Sequence, residues 1–279
     1  MRFAELVIGA SWKIGRPMGI DLELHVSWFV VMVLITVSLA TSFYTPFDIP
    51  IAFFLGAVSA ALLFISITLH ELAHSYFAIK YGIGVHRIVL FMFGGVAQIK
   101  QEPPTPGAEF VIAIAGPLCS FGIGMLLLLI GWLLLPLWVP AFHFWVAFDQ
   151  IISGSITGGN SYLAGCVALL GYVMLLNFVL ATINLVPAFP LDGGRLLRAM
   201  LWRLLHNFEK ATVIASAAGQ LVGGFLMGGG FFFLFEPDVL NGVWLILLGF
   251  FLFRAARVAY NRARMTQHHL FIYPEERSF

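Results

Sequence analysis

Six stretches of this chain are apolar for long enough to cross a lipid bilayer, and no other feature limits its possible folds so sharply. They are His25–Tyr44, Ile51–Lys80, Phe110–Trp138, Ser161–Leu185, Thr212–Phe235 and Val239–Val258. A helix rises about 1.5 Å per residue, so about 20 residues cover a hydrocarbon core about 30 Å thick. Of the 279 residues, 60% are hydrophobic and 10% charged, against about half and about a quarter in a soluble domain. A soluble fold of this composition could not clothe its surface in polar groups. Lipid removes that demand. The expected class is an all-α polytopic membrane protein with six transmembrane helices and the bilayer as its solvent.

The cations give an orientation without help from any motif. Arg2, Lys13 and Arg16 precede the first stretch, and Lys80, Arg87 and Lys100 follow the second. Arg195, Arg198, Arg203 and Lys210 follow the fourth, and Arg254, Arg257, Arg262 and Arg264 flank the sixth. Loops 45–50, 139–160 and 236–238 contain no Lys or Arg. Cytoplasmic loops carry the excess of Lys and Arg, so both termini are expected in the cytoplasm. The first apolar stretch lacks a small-residue cleavage site and reads as a retained span.

Two short segments depart from helical patterning. Ile20, Leu22 and Leu24 alternate with Asp21, Glu23 and His25, a period of two that predicts a short β-strand before the first span. Val85–Lys100 is rich in Val, Ile and Phe and is interrupted by Gly94 and Gly95. It reads as a strand pair or bent strand after the second span. Pro103, Pro104 and Pro106 then mark a loop. Loop 139–160 begins aromatic and ends Gly-rich, as an interfacial segment would. Glycines 223–224 and 228–230 allow either close helix packing or flexibility, and the sequence leaves both open. No repeat or second domain is evident. Residues 1–262 read as a single membrane domain and 263–279 as a polar cytoplasmic tail.

The chemistry-bearing residues concentrate in two places. His70-Glu71-Leu72-Ala73-His74 is an HExxH motif near the cytoplasmic end of the second span. Positions i and i+4 share a helix face, so both imidazoles can reach one zinc ion. Glu71 is placed to take a proton from an attacking water. An ionised side chain at the bilayer centre costs about 2.5–3.5 kcal/mol on insertion scales, so three ionisable residues within five positions need a function to retain them. Zinc requires a third protein ligand. Asp192 is the best candidate, because Asn184–Arg195 emerges on the same cytoplasmic side and Pro187 and Pro190 end the helix. The alternative is that Asp192 caps a helix beginning at Gly193.

HExxH within a span, followed by Asn184-x-x-Pro187-x-x-Pro190-Leu191-Asp192-Gly193-Gly194, closely resembles the site-2 protease family of intramembrane zinc metalloproteases. Ala115-Gly116-Pro117 in the third span adds to the resemblance, which covers roughly Gly19 to Phe253. The layout is most similar to the six-span prokaryotic subgroup. That subgroup often carries paired nucleotide-sensing CBS modules after the last span, for which residues 259–279 leave too little chain. The resemblance implies one Zn2+ per chain held by His70, His74 and Asp192, with Glu71 activating water. It implies that Asn184 helps hold the substrate carbonyl or its oxyanion, a sensible task for an amide N–H. Asn177, seven residues earlier, is a weaker candidate for the same task, its alternative being an inter-helix hydrogen bond. It further implies membrane-spanning or membrane-anchored protein substrates, as in regulated intramembrane proteolysis, and the cell membrane of a prokaryote.

A helical substrate must unwind before its scissile carbonyl is accessible, and an exposed strand edge offers replacement hydrogen bonds. Phe93, Gly94, Gly95 and Val96 are the candidates for that edge. Two other functional classes compete: a transporter and a zinc-bound scaffold without catalysis. A transporter needs no HExxH glutamate and usually several polar helices, whereas polar groups here gather in two places only. Cys119 and Cys166 lie in apolar runs and form no CxxC pair. No cluster of basic residues interleaved with aromatics suggests nucleic acid.

Overall fold

The computed structural model describes residues 11–45, 47–92, 94–99, 101–134, 161–235 and 239–272. Loop 139–160, Phe93 and residues 273–279 of the tail lie outside the described residues. The elements in chain order are β1 (Ser11–Gly15), β2 (Asp21–His25), α1 (Val26–Ser38), α2 (Ile49–Lys80), β3 (Val85–Phe91), β4 (Gly94–Ile99) and α3 (Pro106–Leu134). Then come α4 (Ser161–Asn184), α5 (Asp192–Leu205), α6 (Phe208–Phe233) and α7 (Val239–Ile272). Among the described residues, six helical stretches are long and apolar enough to span a membrane, with α1 extended by a π-helical turn at Leu39–Phe43. The protein is a multi-pass membrane protein, and the expected fold class holds.

Backbone contacts divide the chain into two compact units, one of residues 1–102 and 115–181 and the other of 103–114 and 182–279. The first unit carries a four-stranded sheet in the order β1-β2-β3-β4. Its outer pairs are antiparallel, while β2 and β3 run parallel across the intervening α1–α2 connection. The alternation at Ile20–His25 is realised as β2, and Val85–Lys100 as the strand pair β3–β4. Ile20, Leu24, Ile88 and Leu90 form a buried cluster against which Trp28, Ile67 and Leu72 pack. The apolar side of the sheet is thereby fastened to α1 and α2. Strand β1 went unread because five residues with one charge offer almost no pattern. It adds an edge to the polar side, where Glu23 accepts from Ser11 at 2.6 Å and from Arg87 at 2.9 Å.

Helix ends in this unit follow local chemistry. His25 caps α1, its Nδ1 accepting the Ser27 N–H at 3.2 Å. In the second unit, at the start of α3, Thr105 Oγ1 accepts the Ala108 N–H at 3.1 Å beside Pro106, the first residue of the helix. A second core joins Leu39, Ala40 and Tyr44 to Ala52, Leu55, Val167, Ala168 and Met174. The outer faces stay apolar: Val33 is 62% exposed, Phe54 67% and Trp132 64%. Water would oppose that surface and hydrocarbon accepts it.

The second unit contains the helix pair α6–α7. Gly223 and Gly230 are packed against the backbone of Gly249 and Gly242, so these glycines serve close helix packing. Helix α7 runs past the apolar window to Ile272, because its Arg-, Ala- and Met-containing continuation is still helix-forming after it ceases to be lipid-like. Beside this pair, Glu109 is fully buried and accepts from Arg198 Nε at 2.7 Å and from its Nη2. The Arg198 guanidinium also lies 4.7 Å from the Phe208 ring centroid and 5.5 Å from that of Phe189. Removing one partner of a buried ion pair strands the other charge. Glu109→Ala should therefore destabilise the protein by about 3–5 kcal/mol, read as a lower unfolding midpoint in detergent. Replacing both partners by Met should recover much of that loss.

Candidate metal centre

Helix α2 presents His70 and His74 one turn apart, each 3% exposed. Their Nε2 atoms are 3.2 Å apart and their rings nearly perpendicular, at 80°. Two nitrogen lone pairs at that distance repel unless a proton or a cation lies between them. Two ligands each at about 2.0–2.1 Å from a tetrahedral zinc sit about 3.3 Å apart, so the pair is spaced as zinc requires.

Space for an ion is left by α3. A Cβ on Gly116 would fall 2.2 Å from His74 Nε2 and 2.6 Å from His70 Nε2. Glycine is thus the only residue that fits there without displacing the imidazoles. Pro117 follows it, leaving the carbonyl of residue 113 without its helical N–H partner. One turn beyond Gly116, Ser120 Oγ lies 2.9 Å from His70 Nδ1. Ser120 was missed in the sequence, although its i+4 spacing from Gly116 places it on the same helix face.

Glu71 is half-buried on α2, and β4 lies against it. A Cβ on Gly95 would come within 2.6 Å of Glu71 Cγ and 3.3 Å of its Oε1. The strand backbone therefore borders the glutamate, with Gly94 in a positive-φ conformation at 129° and Val96 exposed. Asn177, in α4, is buried. Its Nδ2 donates to Ser66 Oγ at 3.0 Å and to the Val173 carbonyl at 2.8 Å. Its Oδ1 has no hydrogen-bond partner among the described residues.

In the second unit, Asn184 ends α4 and Asp192 begins α5. The N-cap of α5 is Leu191, and no side chain caps it. Asp192 is the first helical residue, so the capping alternative does not apply. It is 8% exposed, with Arg195 Nη1 3.9 Å from its Oδ1. The segment leading into it is tightly held. A Cβ on Gly193 would meet the carbonyl oxygens of Leu185 and Val186 at 2.2 and 2.3 Å, and one on Gly194 the Phe189 nitrogen at 2.2 Å. From α6, a Cβ on Gly219 would strike the Phe189 carbonyl oxygen at 1.9 Å. His70, His74 and Asp192 each offer one ligand atom and all three are buried, the two imidazoles in the first unit and the carboxylate in the second.

Residues 58–227, more than half of the chain, match the profile of Peptidase family M50. The chain belongs to that family, whose members include the site-2 proteases. The solved site-2 protease from Methanocaldococcus jannaschii superposes with a TM-score of 0.58 at 33% identity, covering 90% of this chain and 95% of that one. A zinc metalloprotease of the same organism is 36% identical over 75% of this chain and 51% of its own length. A Synechocystis protein named as a presumed zinc metalloprotease is 31% identical over 91% of this chain and 61% of its own. The chain thus spans about half to three fifths of the length of these two curated relatives.

Gly116→Ala tests the space between the imidazoles. The added methyl should cut metal content several-fold at unchanged helicity, measured by elemental analysis and circular dichroism of the purified protein.

Proposed function

We propose that this chain is an intramembrane zinc metallopeptidase that cleaves membrane-spanning or membrane-anchored proteins, with His70, His74 and Asp192 holding one Zn2+ and Glu71 handling the proton. The observation that carries the reading is the buried pair of imidazole nitrogens 3.2 Å apart, beside an ionisable glutamate in an apolar helix. With the Asp192 carboxylate as the proposed third ligand, the donor set of two nitrogens and one oxygen is the kind that catalytic zinc takes, leaving a fourth position for water or substrate. Bound zinc supplies Lewis acidity, polarising a carbonyl and acidifying water to a pKa of about 7.

The side chains of the protein do the rest. The Glu71 carboxylate takes one proton as a water oxygen adds to the scissile carbonyl carbon. The Asn184 amide N–H is proposed to donate to the oxygen that gains charge. Glu71 then returns its proton to the nitrogen as the C–N bond breaks, giving a carboxylic acid and an amine. We assign the oxyanion role to Asn184, the asparagine of the Asn-x-x-Pro run; Asn177 instead donates to Ser66 and to the Val173 carbonyl. Strand β4, from Gly94 to Val96, is the proposed edge on which an unwound substrate lies, supported by the contact of Gly95 with Glu71. Phe93, a candidate for that edge in the sequence, lies outside the described residues.

Residues 1–262 are proposed to act as a single catalytic membrane domain in a prokaryotic cell membrane. Both termini and the site face the cytoplasm, an orientation that rests on the distribution of Lys and Arg. The test is co-expression with single-span proteins, comparing wild type with Glu71→Gln. A protease loses cleavage by at least about 100-fold, within the range of general acid–base catalysis, and retains its zinc. Undiminished function in Glu71→Gln would instead indicate a transporter or a scaffold. Val96→Pro and Ala97→Pro should each impair cleavage while zinc stays bound, and unchanged turnover would reject β4 as the substrate edge.

A further inference from the structure

The contact between Ser120 and His70 assigns a residue that the motif-based reading leaves out. His70 has two ring nitrogens with different neighbours. Its Nε2 faces His74 Nε2 at 3.2 Å, in the space that Gly116 leaves open. Its Nδ1 faces Ser120 Oγ at 2.9 Å. Ser120 and His70 are both buried, Ser120 with no exposed surface at all. We propose that Ser120 is a positioning residue for the metal site. Its hydroxyl oxygen accepts the Nδ1–H of His70, and so fixes the ring angle and the tautomer that leaves Nε2 unprotonated for zinc.

The physical argument starts from the neutral imidazole, which carries one N–H and one lone pair. Near apolar side chains an unpaired N–H costs about 1–3 kcal/mol. Both nitrogens face an acceptor, and the Ser120 oxygen 2.9 Å away favours the tautomer protonated at Nδ1. Ser120→Ala removes that oxygen. The proton then gains by moving to Nε2, where the second imidazole can accept it, and that tautomer cannot bind metal through Nε2. The ring also becomes free to turn about χ2. Alanine at 120 would remove one oxygen atom's worth of volume, less than a water needs, so solvent is a poor substitute for the lost hydroxyl. Metal-bound histidines generally use the second nitrogen in this way, and loss of such a partner weakens metal binding about 10–100-fold.

The proposal rests on the zinc reading, and the experiment separates the two. Purified full-length protein in detergent is titrated with zinc against a chromophoric chelator, for wild type, Ser120→Ala, Ser120→Thr and His70→Ala. The expected result is zinc affinity about 10-fold or more weaker in Ser120→Ala, recovered to within about twofold in Ser120→Thr, which keeps the oxygen. Cobalt-substituted protein should show a displaced visible absorption band in Ser120→Ala and the wild-type band in Ser120→Thr. A role confined to packing would lower the unfolding midpoint without moving affinity or spectrum. Wild-type affinity in Ser120→Ala overturns the positioning role and leaves the zinc reading intact. Undiminished zinc in His70→Ala overturns the zinc reading, and this proposal with it.

Discussion

Everything in the site follows from two imidazoles held one helical turn apart inside an apolar helix, nitrogen to nitrogen at 3.2 Å. Such a pair needs a proton or a cation between its nitrogens, since two facing lone pairs would repel. A shared cation meets that need, and the spacing matches what two ligands on one tetrahedral ion require. The surroundings are arranged to preserve that opening. Gly116 withholds a side chain, Gly95 brings strand backbone to the neighbouring glutamate, and Ser120 occupies the second nitrogen of His70.

The second unit meets a related problem by covalent economy. Residues 185–191 are irregular backbone, which is tolerated at membrane depth only when protein shields it. Gly193 and Gly194 let helix α5 start against the Leu185, Val186 and Phe189 backbone, and Gly219 lets α6 approach the Phe189 carbonyl. The Arg198 guanidinium stacks near Phe189 and Phe208 while its charge is met by Glu109. Asp192 is thus presented from a segment fixed on several sides. Its carboxylate is buried without being consumed as a helix cap.

Much of this was legible in the sequence, for identifiable reasons. The spans follow from hydropathy alone, since lipid solvation acts on every residue of a helix. HExxH is readable because its chemistry sits within five positions on one helix face, and the Pro-Leu-Asp-Gly-Gly run because turn residues announce themselves. The strand at Ile20–His25 was visible in its alternation. Strand β1 was not, being too short to show a period. The helical continuation beyond Val258 was invisible to hydropathy, which senses lipid and not backbone. Ser120 and the Glu109–Arg198 pair were hidden for a different reason. Each depends on residues 50 and 89 positions away, respectively, and such a partnership exists only once the helices have packed.

The central claim is that a single zinc ion is coordinated by His70, His74 and Asp192. X-ray absorption at the zinc edge of the purified protein tests it most directly. The account predicts a first coordination sphere of nitrogen and oxygen only at about 2.0–2.2 Å. It also predicts outer-shell scattering from two imidazole rings, falling to one ring in His74→Ala. A spectrum with sulfur ligands at about 2.3 Å, or one without imidazole scattering, would contradict it.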